Sequence, residues 1–323
     1  MKNKFYGAIF AVLTSMLLGQ ASAQTYPTRP IRLIVPYTPG GSIDTTARIV
    51  ADQLQKQLGQ PIVIENKPGA SGLIGSLEVA KAKSDGYTLL FNASAQVYLP
   101  LVMEGKTYDA EKDFTPIAQV GYVPLAVLVS ANEKIDSLKE LVALAQANPK
   151  KYTWATSGFG TTSHLSEEIL TRELKLNMDI IPYKGASPQL TDVMGGHVTA
   201  AISPLPGATP FIEGKRLKVL AITSKERVPT MPDVPTVSET VLPGFEIKSW
   251  YGLWGPANLS PEIVATLSRE VNKATQDPAV LAKFEKLSFQ TQPNTPGEFK
   301  KIISDEIALV GKVAREANIL IKR

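Results

Sequence analysis

A loop at residues 36–44 (PYTPGGSID), between a predicted strand and a predicted helix, has the composition of an anion-binding site. Its two glycines let the backbone approach a ligand closely, and Ser42 is suited to capping the helix. The first turn of a helix has free N–H groups and a partial positive charge, so it attracts anions. The alternative is an ordinary turn in which Asp44 stabilises the helix start and pairs with Arg48, four residues later. The loop lacks the GKS or GKT of a phosphate-binding loop and the spacing of GxGxxG, so we exclude nucleotide binding.

A second loop of the same length, residues 156–164 (TSGFGTTSH), again lies between a predicted strand and helix. Its hydroxyl and backbone N–H groups suit the same kind of anion site. The alternative is a catalytic serine with His164 as its base, which would make the chain a serine hydrolase. The nucleophile-elbow pattern GxSxG is absent from the sequence. We therefore favour His164 as a helix-start residue that fills an interface.

Two single hydroxyls, those of Ser94 and Ser203, follow predicted strands at the ends where ligands bind in open α/β sheets. Residues 183–188 (YKGASP) open another helix, where Lys184 either steers an anion or is simply solvated. The chain has no Cys and two His, and its Asp and Glu residues show no metal-ligand spacing. We therefore expect no metal, no cofactor and no thiol chemistry.

The elements that position these loops follow from the hydrophobic pattern. Residues 31–35 and 62–64 are short β-branched runs, and apolar residues between them recur three and four positions apart until Gly59 ends the helix. The same plan returns at residues 152–183, which indicates either two lobes of similar construction or two ordinary α/β units. Further strands are predicted at residues 87–91, 198–202 and 217–222, before a largely helical tail from residue 259. The pattern predicts an α/β fold with parallel strands, in which the tail packs back on the first lobe.

The N-terminus has the three parts of a secretory signal peptide. Lys2 and Lys4 precede an apolar run at residues 5–18, and the small residues at 21–23 (ASA) follow. The alternative is a short buried helix. We predict that residues 1–23 are a signal peptide, that cleavage follows Ala23, and that the exported protein comprises residues 24–323.

The composition is that of an ordinary globular protein. Of the 323 residues 44% are hydrophobic and 20% are charged. The formal net charge of +4 falls to +2 once Lys2 and Lys4 are removed with the signal peptide. A charge this small gives no support to nucleic acid as a partner, since nucleic-acid binding proteins have a concentrated basic face.

Several ordered motifs together resemble the Bug family, the periplasmic substrate-binding proteins of tripartite tricarboxylate transporters. The motifs span the exported chain: residues 26–32 (YPTRPIR), 36–41 (PYTPGG), 59–70 (GQPIVIENKPGA), 85–90 (DGYTLL), 183–185 (YKG), 191–198 (TDVMGGHV) and 232–236 (PDVPT). Each motif alone is weak evidence for the resemblance, whereas the whole set in this order is specific to the family.

The resemblance implies a two-lobe periplasmic binding protein fold with the ligand in the cleft between the lobes. The ligand-binding residues that it implies lie on loops and strand ends of both lobes: Tyr37, Thr38, Gly40, Gly41, Asp44, Ser94, Gly160, Thr161, Thr162, His164, Ala186 and Ser203. Tyr37 and Thr38 replace the Phe and small residues usual in the family, and relatives often carry an acidic residue near Ser203. We expect these departures to affect ligand specificity.

On these grounds we predict a monomeric periplasmic binding protein with no catalytic activity. We expect it to capture a small organic carboxylate, either a di- or tricarboxylate or an aromatic acid such as an aromatic dicarboxylate, for integral membrane permease subunits. The first lobe is predicted to comprise residues 24–122 plus 246–323, and the second lobe residues 123–245. The alternative function is that of an exported serine hydrolase.

Overall fold

The computed structural model describes residues 26–105 and 107–316, so the predicted signal peptide and its cleavage site lie outside the described residues. The strands are β1 (Ile31–Val35), β2 (Ile62–Asn66), β3 (Thr88–Ala93), β4 (Phe114–Ser130), β5 (Thr153–Thr156), β6 (Asp179–Pro182), β7 (Ala200–Pro204), β8 (Leu217–Ile222), β9 (Lys248–Pro256) and β10 (Gln290–Thr291). The α-helices are α1 (Ser42–Leu58), α2 (Leu73–Ala80), α3 (Ala95–Val102), α4 (Leu138–Ala147), α5 (Thr162–Glu173), α6 (Ala186–Met194), α7 (Leu205–Glu213), α8 (Val237–Thr240), α9 (Pro261–Thr275), α10 (Pro278–Lys286) and α11 (Pro296–Glu316). No helix within these ranges is long and apolar enough to cross a membrane.

The strands form a mixed sheet in the order β2-β1-β3-β9-β4-β7-β5-β6, with β8 and β10 also paired to β4. The long strand β4 joins two lobes: it pairs with β9 from Phe114 to Pro124, and with β7 from Leu125 to Val129. We call the part built on β1, β2, β3, β9 and β10 the first lobe, and the part built on β5, β6, β7 and β8 the second lobe. Pro124 lies inside β4, at the point where the strand leaves one lobe for the other.

Each lobe contains the predicted strand, loop, helix and strand unit. In the first lobe β1 and β2 are parallel, with Ile31 opposite Ile62. Helix α1 connects them and buries Ala47, Val50 and Leu54. It ends at Gly59, whose φ of 66° gives the left-handed conformation that glycine adopts without strain. In the second lobe β5, α5 and β6 repeat the plan with parallel strands. The α/β prediction is therefore confirmed.

The helical tail packs on the first lobe, as predicted. Phe299 and Ile303 of α11 are buried in one cluster with Tyr98, Trp250 and Trp254. The ring of Phe299 lies 5.7 Å from that of Trp250 and 5.1 Å from that of Trp254, between ring centres. The two tryptophans thus fill the core of the first lobe.

Candidate functional site

A small cavity of about 40 Å³ lies where the carboxyl ends of β1, β3, β5 and β7 face each other across the two lobes. Its wall comes from the two sequence-predicted loops, from the start of α6 and from strand β9. Of the predicted site residues, five line it: Tyr37, Gly41, Thr161, Thr162 and Ala186. The other lining residues are Ser42, Ile43, Ala93, Ala95, Ser157, Ser163, Pro204, Ser249 and Tyr251. Its position between two lobes, at the carboxyl ends of the strands, is that of a small-molecule site in α/β proteins.

The first loop ends at Gly41, which is the N-cap of α1 and has no side-chain cap. Ser42 is already helical, so the prediction that Ser42 caps α1 is wrong. Its hydroxyl instead donates a hydrogen bond to the Pro204 carbonyl at 2.9 Å and accepts one from the Gly207 N–H at 2.8 Å. Because both partners belong to the second lobe, Ser42 joins the two lobes at the cavity wall.

Asp44 lies behind the first loop rather than in the cavity wall. Its carboxylate accepts hydrogen bonds from the Gly40 N–H, from Asn66 Nδ2 and from the Arg48 guanidinium, each at 2.9 Å. Burial raises the pKa of Asp44, but the bonds from Arg48, Gly40 and Asn66 outweigh it and hold that pKa below its usual value. The predicted pair with Arg48 is confirmed. Since Asn66 Nδ2 also donates to the Tyr37 carbonyl, the cluster fixes both ends of the loop.

The second loop is held by its own hydroxyls. Thr161 is the N-cap of α5: its Oγ1 accepts from the His164 N–H at 3.3 Å and donates to the Gly158 carbonyl at 2.7 Å. The Thr162 and Ser94 hydroxyls lie 2.8 Å apart and form a further hydrogen bond between the lobes. Ser94, although predicted for the deeper pocket, is not itself part of the cavity wall and supports Thr162 from behind.

His164 has no serine beside its ring. Its Nδ1 accepts from the Gly160 N–H at 3.4 Å, and its Nε2 lies 3.4 Å from the Glu168 carboxylate. The ring packs edge-on against Phe159 at 5.1 Å between centres. Both ring nitrogens are thus engaged within α5 and its loop. Within the part of the chain that the structure describes, neither histidine ring accepts a hydrogen bond from a serine hydroxyl, so a Ser-His pair has no geometric support.

Strand β9 adds two wall residues that sequence reasoning missed. Tyr251 stands opposite Ala93 in the β3–β9 pair, and Ser249 precedes it by two residues on the same face. The Tyr251 side chain is fully buried and its hydroxyl has no hydrogen-bond partner among the described residues. Burial raises the pKa of Tyr251, and the nearby hydroxyls of Ser42 and Ser249 offset this in part. No local motif marks these residues, because β9 lies some 210 positions after the first loop and reaches the cavity only by pairing with β3 and β4.

The remaining predicted residues lie near the wall without forming it. Thr38 donates its N–H to the Lys184 carbonyl at 3.4 Å, and its hydroxyl is buried without a hydrogen-bond partner among the described residues. The hydroxyl of Ser203, likewise buried, has none either. Close to Ser203, Glu167 of α5 accepts from the Ile202 N–H at 3.2 Å. Burial raises the pKa of Glu167 well above its usual value, and the hydrogen bond from the Ile202 N–H offsets this in part.

The cavity is uncharged but rich in hydrogen-bond donors. Among the described residues, its wall includes no Lys, Arg, His, Asp or Glu. It includes the first turns of α1, α5 and α6, whose N–H groups have no partner within the helix. A Cβ built at Gly41 would lie 3.7 Å from the Ala186 N, so the starts of α1 and α6 are adjacent across the cleft. The described ranges contain no group of three or more His, Cys, Asp or Glu placed to hold a metal ion.

Known proteins resemble this chain over most of its length. A protein-family model described as "Tripartite tricarboxylate transporter family receptor" matches residues 46–319. Protein BugT of Bordetella pertussis is 37% identical over 314 residues, which cover 96% of each chain. The structure of the periplasmic binding protein BugD superposes with a TM-score of 0.88 at 31% identity, and the match covers 92% of this chain and 100% of that one. The structure of R. palustris Rpa4515 with adipate gives 0.88 at 32% identity, with the same coverage.

Proposed function

This chain belongs to the tripartite tricarboxylate transporter receptor family, and from that premise we propose that it captures a small organic carboxylate in the cavity between its lobes. The observation that carries the proposal is the wall itself, where helix first turns from both lobes meet without a charged side chain. Backbone N–H groups at helix starts bind carboxylates through direct hydrogen bonds and the helix dipole. Rpa4515 with adipate, a relative of the same fold, supports a carboxylate as the ligand class.

In the mechanism that we propose, the ligand enters while the lobes are apart. The loop at residues 36–44 and the loop at residues 156–164 then satisfy its carboxylate from opposite sides. The hydrogen bonds of Ser42 with Pro204 and Gly207, and that of Ser94 with Thr162, form as the lobes come together. A ligand favours this closed arrangement only to the extent that it binds it more tightly than the open one.

The protein is exported to the periplasm after cleavage behind Ala23, acts as a monomer without catalysis, and delivers its ligand to integral membrane permease subunits. The first lobe corresponds to residues 24–122 plus 246–323 and the second lobe to residues 123–245. The strand β4 is the first connection between them, and the segment leading into β9 is the second. A di- or tricarboxylate or an aromatic acid remains the ligand class.

The test is thermal unfolding of residues 24–323, refolded from denaturant to remove any bound molecule, against a panel of acids, sugars and cations. A ligand at 100 times its Kd adds roughly 2.7 kcal/mol to stability, which raises the Tm visibly. We expect at least one of malate, adipate, citrate, benzoate or terephthalate to raise it. A rise only with sugars or cations would refute the carboxylate proposal.

A matched pair of variants then locates the site. Thr161→Ala removes the cap of α5 at the cavity wall, whereas Thr236→Ala removes the equivalent cap of α8, away from it. Each should lose about 1 kcal/mol of stability. We expect only Thr161→Ala to weaken carboxylate binding, as measured by calorimetric titration. Equal affinity in both variants would show that the second loop is wrongly assigned.

A further inference from the structure

A short segment of the first lobe, outside the two predicted loops, has an unusual backbone conformation. Residues 69–72 (GASG) lie between strand β2 and helix α2. All four have positive φ, which is 136° at Gly69, 47° at Ala70, 55° at Ser71 and 93° at Gly72. Alanine and serine keep such a left-handed conformation only where the surrounding structure holds them in it, and backbone of this kind is concentrated at ligand sites. The contacts that hold the segment therefore indicate what it does.

The first of these contacts comes from the cavity wall. Tyr37 lines the cavity, and its hydroxyl donates a hydrogen bond to the Ser71 carbonyl at 3.0 Å. A Cβ built at Gly72 would lie 3.1 Å from the Tyr37 hydroxyl oxygen and 3.2 Å from its Cζ, so the ring packs directly against the Gly72 backbone. Within the segment, the Gly72 N–H donates to the Gly69 carbonyl at 3.0 Å. Tyr37 thus fixes the conformation of Ser71 from the cavity side.

The second contact joins the segment to the other lobe. A Cβ built at Gly158 would lie 3.2 Å from Ser71 Oγ, 3.4 Å from its Cβ and 3.5 Å from its Cα, so the Ser71 side chain packs against the Gly158 backbone. Gly158 is a buried residue of the loop at residues 156–164, and its carbonyl accepts hydrogen bonds from Thr161 Oγ1 at 2.7 Å and from the Thr161 N–H at 3.4 Å. Since Thr161 lines the cavity, the segment is connected to both cavity loops.

Resting on the proposed function, we propose that residues 69–72 are a third element of the ligand site and that Ser71 is its positioning residue. Ser71 does not line the cavity. It acts through Gly158, and so places Thr161 against the ligand when the lobes are together. Tyr37 holds Ser71 in the left-handed conformation in which its side chain meets Gly158. Ligand affinity therefore depends on a side chain that the ligand does not touch.

Ser71→Gly tests the contact with Gly158, and Ala70→Gly is the matched control. Each variant replaces a left-handed residue by glycine, so both relieve the backbone and both add freedom to the unfolded chain. The Tm values of the two variants without ligand should therefore agree within about 2 °C. The two residues differ in their surroundings, because Ala70 is exposed whereas Ser71 is partly buried against Gly158.

Affinity is measured by calorimetric titration of the refolded protein with the acid of the panel above that raises the wild-type Tm most. We expect Ser71→Gly to bind it about three- to tenfold more weakly, because a small contact made only with the lobes together is lost. Ala70→Gly should stay within about twofold of wild type. Equal affinity in the two variants overturns this inference and leaves the carboxylate proposal standing. If no acid binds the wild-type protein, both fall.

Two more variants separate this role from a merely structural one. Ser71→Ala keeps the Cβ that lies against Gly158 and should restore most of the affinity lost in Ser71→Gly. Tyr37→Phe removes the hydroxyl that holds the Ser71 carbonyl, so adding Ser71→Gly to it should weaken binding by less than about twofold. A loss in Ser71→Ala as large as that in Ser71→Gly overturns the assignment. So does a Ser71→Gly effect that is undiminished beside Tyr37→Phe.

Discussion

The substitution Gly207→Ala should hold the two lobes apart. Gly207 lies in the first turn of α7, and its N–H donates to Ser42 Oγ from across the cleft. A Cβ at this position would lie 2.7 Å from Ser42 Oγ and 2.9 Å from the Ser42 N, distances shorter than real Cβ contacts allow. Because the Ser42 N is backbone, the clash is relieved only if α1 and α7 move apart. Gly207 itself does not line the cavity, but its Cβ would press on Ser42 and Gly41, which do.

The expected loss of ligand affinity follows from the two hydrogen bonds that the added Cβ breaks. Separation of α1 from α7 removes the bonds of Ser42 with the Gly207 N–H and with the Pro204 carbonyl. Two such bonds contribute about 1–3 kcal/mol together. If ligand binding requires this arrangement, the affinity falls about 5- to 150-fold. The stability of α7 itself should not fall, because alanine is a better helix residue than glycine by about 0.5–1 kcal/mol.

The assay is calorimetric titration of the best acid into Gly207→Ala, with small-angle scattering of the free and saturated protein. Gly297→Ala is the matched control, an exposed helical glycine of α11 where a Cβ would meet no atom closer than 4.0 Å. We expect Gly207→Ala to bind weakly and to stay more extended at saturating ligand, and Gly297→Ala to behave as wild type. Wild-type affinity in Gly207→Ala would refute the reasoning that binding depends on contact between α1 and α7.

Three further predictions concern stability, each measured by urea denaturation. Asp44, whose folded pKa is depressed, contributes stability that is present above its unfolded pKa of about 3.9 and lost as the pH falls through the folded pKa. Asp44→Asn should be less stable than wild type at pH 7, and the difference in the free energy of unfolding should become smaller in acid. A difference that does not change with pH would contradict this. Glu167, whose folded pKa is raised, contributes stability below its unfolded pKa of about 4.3 that is lost as the pH rises through the folded pKa. The stability of Glu167→Gln relative to wild type should therefore rise with pH. A difference in the free energy of unfolding that does not change with pH would show that folding does not raise the pKa of Glu167. Phe299→Ala, which empties the space between two buried tryptophans, should lose about 3–5 kcal/mol, and a loss under about 1 kcal/mol would show that the cluster collapses around the gap.

Local sequence signals predicted the units that carry the two loops. The β-branched run at Ile31–Val35, the three-and-four spacing in α1 and the stop at Gly59 each act within a few residues, and the structure has all three. The pairing of Asp44 with Arg48 is also local, since side chains four apart share one helix face. These features could be predicted because the interactions that fix them join near neighbours in the chain.

The features that could not be predicted depend on contacts between distant segments. Ser42 was suited by type to cap α1, but the approach of the second lobe gives its hydroxyl two backbone partners more than 160 positions away. The change of partner at Pro124, where β4 stops pairing with β9 and starts pairing with β7, likewise depends on segments far away in the chain. Tyr251 reaches the cavity only through the pairing of β9 with β3. In each case the partner segment, and not the residue type, decides the role.

The contacts between the lobes and the wall of the cavity involve the same side chains. Ser42 and Thr162 each line the cavity and each hydrogen-bond to the opposite lobe. A substitution at either residue therefore alters ligand contacts and lobe contacts together, and its effect on affinity cannot be divided between them. Gly207 and Asp44 lie one layer behind the wall, the first against the lobe contact and the second against the loop. Variants at these two positions replace no wall side chain, which makes them better probes of the mechanism than substitutions of the wall residues themselves.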